Sequence, residues 1–330
     1  MNKIFNISHV LLLTAILLLT AACSSDSSND VQPSPTPNTS QEISIQTDVR
    51  KMAEGTRAVT IDNNTTLQGQ DLKIDAYYHD TETKYLDGAK LHYDSPWKFW
   101  DGSAQLHYYW PIEGSVTSSS ITVSSLDFVG FCPYDKPTYI GTPTYNHSTG
   151  ISFTCNMDSY MTLASQASMP EYLVAVLDGQ TYDTQTDAGG ALPLQFKHPF
   201  ALIKFVITEA SGTNVKINSI SLSEMKTTGT CAYDGTSLTW SSQDGSAAMT
   251  LTQELKNGGT TEGTPFIVIP NNYGTKTLTV NATWDDWSNV TTDVTANVAF
   301  NWQAGYIYTY NLTLSKYALK VDINNFTEQW

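Results

Sequence analysis

Apolar and polar residues alternate along much of this chain with a period of two. Leu72-Lys73-Ile74-Asp75-Ala76-Tyr77-Tyr78, Ser120-Ile121-Thr122-Val123 and Leu126-Asp127-Phe128-Val129-Gly130-Phe131 are short runs rich in aliphatic, β-branched and aromatic residues. Gly, Pro, Asn and Asp separate such runs, as expected of strands joined by turns. Ile43-Ser44-Ile45 opens the series, and Tyr172–Leu177, Ala201–Ile207, Val215–Leu222, Phe266–Ile269, Leu278–Trp284 and Tyr306–Leu314 continue it. No segment offers a capped helical period, although a short helical turn is expected around Ser159–Ser165. The absence of strand-helix-strand alternation argues against a parallel α/β fold, and the pattern predicts an all-β protein.

Breaks in this pattern suggest the organisation. The polar stretch Asp178–Gly190 (DGQTYDTQTDAGG) reads as a major loop, and strands resume after it as a second set. The expected layout is two tandem β-sandwiches, an N-terminal one over residues 41–191 and a C-terminal one over 192–330. Residues 1–22 read as an export signal, with Lys3, an apolar run from Val10 to Leu19, and small residues Thr20-Ala21-Ala22 before Cys23. The apolar run is shorter than the roughly 20 residues a membrane span needs. A cysteine at the cut site makes Cys23 the expected lipidation site, where acyl chains would anchor the protein in a membrane. Residues 23–40, rich in Ser, Pro, Asn and Asp, are too polar to bury a core and read as a tether.

Charge and chemistry narrow the function. The net charge of −15 opposes binding to nucleic acid or to anionic membrane faces. The histidines outside the signal, His79, His92, His107, His147 and His198, show no ligand pairing, and there is neither an HExxH nor a GxSxG motif. Asp285-Asp286, flanked by Trp284 and Trp287, is the most glycosidase-like patch, but adjacent strand residues point to opposite faces. Asp178, Asp183 and Asp187 could ring a calcium ion, yet their spacing matches no such loop, and a solvated loop is the simpler reading. No catalytic, cofactor or metal site is expected. Beyond Cys23, the remaining cysteines are Cys132, Cys155 and Cys231, none in a metal-binding spacing. A disulfide between Cys132 and Cys155 and buried free thiols are both compatible with the sequence.

Neither packing nor catalysis explains the two ends of the chain. Its only arginines, Arg50 and Arg57, lie together just after the first expected strand, where a protease specific for arginine would find both its targets. At the other end, Leu319-Lys320-Val321-Asp322-Ile323 alternates strictly after a long strand is already complete. Such a strand must bury one face, in its own domain or by adding to the open sheet edge of a neighbour.

Several short pieces, in order, resemble the fimbrillins, the Mfa-like lipoprotein pilins of anaerobic Gram-negative bacteria that build type V pili. They are the signal ending at Cys23, Thr56-Arg57-Ala58, Tyr109-Trp110-Pro111 and Leu126 to Pro133, followed by Leu194 to Phe205, Phe266 to Pro270 and Trp302 to Tyr308. The resemblance implies two transthyretin-like β-sandwiches, export as a lipoprotein to the outer membrane, and trimming after an arginine that removes the first strand. The vacated groove then accepts a strand from another pilin subunit. On this chain the cut would follow Arg50 or Arg57, and the donor would be Leu319 to Phe326, with Leu319, Val321 and Ile323 facing the groove. The family's role is structural and adhesive, its partners other subunits and host or bacterial surface ligands. The alternative from the residues alone is a surface carbohydrate-binding lipoprotein, motivated by the eight tryptophans and Asp-rich loops.

Overall fold

The computed structural model describes residues 37–49, 61, 63–111, 125–210, 212, 214–255, 260–262, 265–285, 290–316 and 318–329, and these are almost entirely strand. The first half is built on an antiparallel sheet in the order β10 (Leu173–Gln180), β7 (Leu126–Cys132), β3 (Leu72–Tyr78), β4 (Lys84–Tyr93) and β5 (Trp97–Phe99). Two short pairs pack on it: β1 (Pro37–Glu42) with β6 (Tyr109–Pro111), antiparallel, and β2 (Ile45–Val49) with β11 (Leu192–Phe196), parallel. Leu72, Ile74, Phe128, Trp110, Leu194 and Phe196 share the resulting core. The packing of β11 on β7 requires Gly130, because a Cβ there would stand 2.9 Å from both Leu194 and Phe196 side-chain atoms.

The second half is a sandwich of two sheets. One has β12 (Ala201–Glu209) at its centre, parallel to β21 (Tyr306–Ser315) and antiparallel to β17 (Thr260–Glu262) and β18 (Phe266–Val268); β22 (Ala318–Gln329) completes it on the outer side of β21. The other runs β16 (Ala247–Leu255), β13 (Asn214–Met225), β19 (Asn272–Asp285), β20 (Thr291–Asn301). Alternation does the sorting: Val294, Val298 and Phe300 of β20 turn inward, while Thr291, Thr295 and Asn301 stay in water.

A further sheet joins the halves. Its order is β8 (Thr144–Asn146), β9 (Gly150–Asn156), β14 (Thr228–Tyr233), β15 (Leu238–Asp244), so a strand of the first half pairs with one of the second across Ile151↔Tyr233 to Asn156↔Thr228. Beneath it lies a third core, in which Val129, Phe131 and Val174 meet Phe200, Ile267 and Ile307. Both faces of the first sheet are therefore covered, which is why β7 is buried at all seven positions. Asp127 helps dock the β8 hairpin: its carboxylate accepts hydrogen bonds from His79 Nδ1 (2.7 Å), the Gly179 N–H (2.7 Å) and Tyr145 Oη (2.8 Å). Partial burial works against a charged His79, but the hydrogen bond and charge of Asp127, with Asp80 and Asp178 beyond it, outweigh that and raise its pKa.

Three expectations change. Leu192–Phe196, expected to open the second sandwich, belongs to the first core because it pairs with β2. The tether ends sooner than residue 40: Pro37–Ser40 lie in β1, since main-chain pairing with β6 needs no apolar side chains. The stretch Asp178–Gly190 is not all loop. It contains a short helix, and among the described residues there are three: α1 (Asn64–Gln68), α2 (Leu163–Gln166) and α3 (Tyr182–Asp187). Asn63 caps α1, Thr181 caps α3, and α2 follows a 3-10 turn at Asp158–Tyr160, where the sequence suggested a helical turn. The strand expected at Ser120–Val123 lies outside the described residues.

Candidate assembly site

The segment ahead of the two arginines is built into the first core. Ile43, Ile45 and Val49 are each only 2% exposed and belong to that core. Strand β2 runs parallel to β11 in the register Leu192↔Ile45 to Phe196↔Val49, and Val49 is followed directly by Arg50. Hydrogen bonds fix both ends of this segment. The Ile43 N–H donates to Tyr108 O (2.7 Å), the Leu192 N–H to Ser44 O (2.8 Å), and the Val49 N–H to Asn64 Oδ1 (2.8 Å).

The centre of this grip is Gln185, a buried amide on α3. Its Oε1 accepts the Ser44 N–H (2.9 Å) and the indole N–H of Trp110 (3.2 Å), while its Nε2 donates to Glu42 O (2.9 Å). One side chain thus satisfies three otherwise lost groups. The sequence reading passed over it because Gln185 sits in a wholly polar stretch. The signal that could have found it is the Thr181-x-x-Thr184 pair, whose side chains cap each other's backbone N–H and start the helix.

The carboxyl end is seated in its own half. Strand β22 pairs antiparallel with β21 in the register Leu314↔Leu319, Leu312↔Val321, Tyr310↔Ile323. Leu319 is buried in the second core and Val321 packs partly against it, so the two terminal segments occupy different cores and do not meet. Cys23, Arg50 and Arg57 lie outside the described residues, as does the side chain of Ile323.

Other candidates disperse. Cys132, Cys155 and Cys231 are free and buried, with Cys132 in the first core and the other two in the third, so the Cys132–Cys155 bridge is not formed. Burial pushes all three thiols far above the usual range, which leaves none as a nucleophile. Asp183 and Asp187 are exposed on α3 and Asp178 is exposed within β10, and among the described residues no acidic or histidine cluster could hold a metal. Trp284 is fully buried opposite Val215 in the second core, so it cannot stack on a sugar; Asp286 and Trp287 fall outside the described residues. His198 is buried too, and desolvation lowers its pKa to about 3, which keeps it neutral in the folded protein.

A profile described as fimbrillin-like matches residues 56–330. The chain belongs to the fimbrillin-like family. Among solved structures, a candidate cell adhesion protein from Bacteroides ovatus is similar at 15% identity and a TM-score of 0.55, over 90% of this chain and 98% of the other. Another, from Bacteroides uniformis, is similar at 15% identity and a TM-score of 0.52, over 88% and 99%. Among curated proteins there is no match. At such identities the likeness concerns the fold, and the fimbrillin-like profile carries the membership. Fimbrillin-like proteins form a fimbrial and adhesion family rather than an enzyme family.

Proposed function

We propose that this fimbrillin-like chain is a structural subunit of a bacterial fimbria. It is exported as a lipoprotein on Cys23, trimmed after Arg50 or Arg57, and polymerised when a strand from another subunit enters the vacated groove. Its place is then the outer membrane, and after assembly the fimbrium, where it supports adhesion. The observation that carries this reading is the placement of β2: the piece of chain ahead of both arginines is a strand of the first core. Its loss would leave the β11 edge, with Leu192, Leu194 and Phe196, without the strand it pairs with.

While β2 stays in place, Ile43, Ile45 and Val49 contribute about 1.5–3 kcal/mol each at full burial, held at the effective concentration of a covalent neighbour. An incoming strand must compete with that, so the precursor is monomeric and trimming is the switch. The donor is the segment from Leu319 to Phe326, with Leu319, Val321 and Ile323 as its apolar face. It occupies an outer position on β21, from which it can leave without opening the middle of a sheet. Replacing Arg50 and Arg57 together by Ala should leave export and acylation intact while abolishing polymer in electron micrographs and denaturant-resistant ladders. Val321→Asp should block incorporation with trimming unaffected, because it buries an unpaired charge. Normal assembly of the double arginine variant would place the switch elsewhere.

A further inference from the structure

A cavity of about 730 Å³ opens at the joint between the halves, with no residue of β2 in its lining. Four connections converge on it: Lys197–His198 between β11 and β12, the β14–β15 turn, Pro270–Asn272 leading into β19, and Trp302–Gly305 between β20 and β21. Its size falls within the range of small-ligand sites. These walls are fixed without any ligand. Gln243 Nε2 donates to Pro270 O (2.6 Å), the Trp302 N–H to Asn271 O (3.0 Å), and the Gly305 N–H to Phe200 O (2.8 Å). Asp234 Oδ1 holds the β14–β15 turn by accepting the Thr236 and Ser237 N–H groups.

The half-buried Trp240 lies in this cavity as a fixed aromatic surface. Its indole N–H is turned inward to Pro199 O (2.7 Å), and its ring packs on Phe200, 5.3 Å between centroids, and on Phe153 at 6.3 Å. The position of the ring needs Gly229 beneath it, where a Cβ would come within 3.1 Å of the indole. Around it stand the hydroxyls of Thr236 and Ser237 and the amides of Asn271 and Gln303. In a chain of net charge −15, none of the described lining residues is acidic, and Lys197 is the one cation.

An immobile aromatic face ringed by neutral donors and acceptors matches a ligand with an apolar face and a rim of hydroxyl groups. We propose that this cavity is a saccharide-binding site, taking a short neutral or singly anionic oligosaccharide with one sugar ring against Trp240 and its hydroxyls on the surrounding amides and hydroxyls. The site does not depend on trimming or assembly, so the untrimmed monomer should bind.

The test uses the full chain on an array of defined glycans, followed by titration calorimetry with the retained ones and with maltotriose, lacto-N-tetraose and 3′-sialyllactose as fixed probes. A chain that binds a saccharide should lose at least about tenfold in affinity when Ser237→Trp fills the mouth and Gln303→Ala removes a rim amide together, with its melting temperature unchanged. Trp240→Ala should abolish binding but also loosen the joint, which is why the rim variant decides. Lys197→Gln should weaken 3′-sialyllactose more than lacto-N-tetraose if the ligand is the anionic kind, and both equally if it is neutral. Failure of every array glycan and probe to bind, undiminished binding by the rim variant, or occupation of the cavity by a synthetic 318–329 peptide in place of sugars would overturn the proposal.

Discussion

Replacing Gln185 by Ala isolates the grip on the first strand. The truncation orphans three groups at once, Ser44 N–H, Glu42 O and the Trp110 indole N–H. A buried polar group left unpaired costs about 1–3 kcal/mol. Water can reach Glu42, which is exposed, so the sum should fall near 3–5 kcal/mol rather than at the top of the range. At roughly 2 °C per kcal/mol for a chain of this size, the melting temperature should drop by about 6–10 °C. Amide exchange adds the local reading. The Ser44 amide should exchange faster relative to Val49, because the Val49 N–H is held by Asn64 and not by Gln185. Thr186→Ala, one residue along on the exposed side of α3, serves as the control and should stay within about 0.5 kcal/mol of the parent. A drop of under about 2 °C together with unchanged Ser44 exchange would refute the grip, since at least one orphaned group would then have to find another partner at no cost.

Gly150→Ala should destabilise the joint by at least about 2 kcal/mol in urea titration, because φ is +76° there and a Cβ would fall 2.1 Å from Tyr233 O. Tyr145→Phe removes one of three donors from the buried Asp127 carboxylate and should cost about 1.5–3 kcal/mol, with the β8 amides exchanging first. His198 binds its proton in the folded state only near pH 3, whereas the unfolded chain binds it near 6.5, so its contribution is present above 6.5 and is lost as pH falls toward 3. The parent should therefore lose more melting temperature between pH 7 and pH 4 than His198→Asn does, measured by calorimetry at each pH. His79 runs the other way: its raised pKa stabilises below about 6.5 and the gain disappears as pH rises through the folded value, so His79→Gln should narrow the difference between pH 6 and pH 9.

Much of the strand content was legible because local pattern decides it. Leu72–Tyr78 is the strand its residues predict, and Tyr306–Leu314 and Ala201–Ile207 are each extended by one or two residues. What pairs with what was not legible. The β9–β14 ladder joins residues more than seventy positions apart, and alternation specifies which face is buried but not the strand beside it. For that reason Leu192–Phe196 looked like the start of a second unit: its LPLQF alternation is equally at home in either core, and only the parallel pairing with β2 assigns it. The first strand was recognisable from Ile43 and Ile45, but its clamp was not, because a glutamine in a polar stretch carries no periodic signal. Trp284 was legible: beside Asp285, the opposite facing of adjacent strand residues favoured a buried Trp over a binding surface, and its place in β19 turns it wholly inward.

The sheet shared by the two halves has a mechanical meaning. A hinge between two separate sandwiches could bend by sliding one core past another, at the cost of some contact area alone. Here a bend must also shear the β9–β14 ladder, six residue pairs long, and strip the Tyr145 hairpin from Asp127. Hydrogen bonds loaded side by side share a shear force, whereas bonds peeled from one end fail in turn. The chain is therefore stiffer across this joint than two sandwiches in contact alone would be, because bending it must break backbone pairing as well as packing.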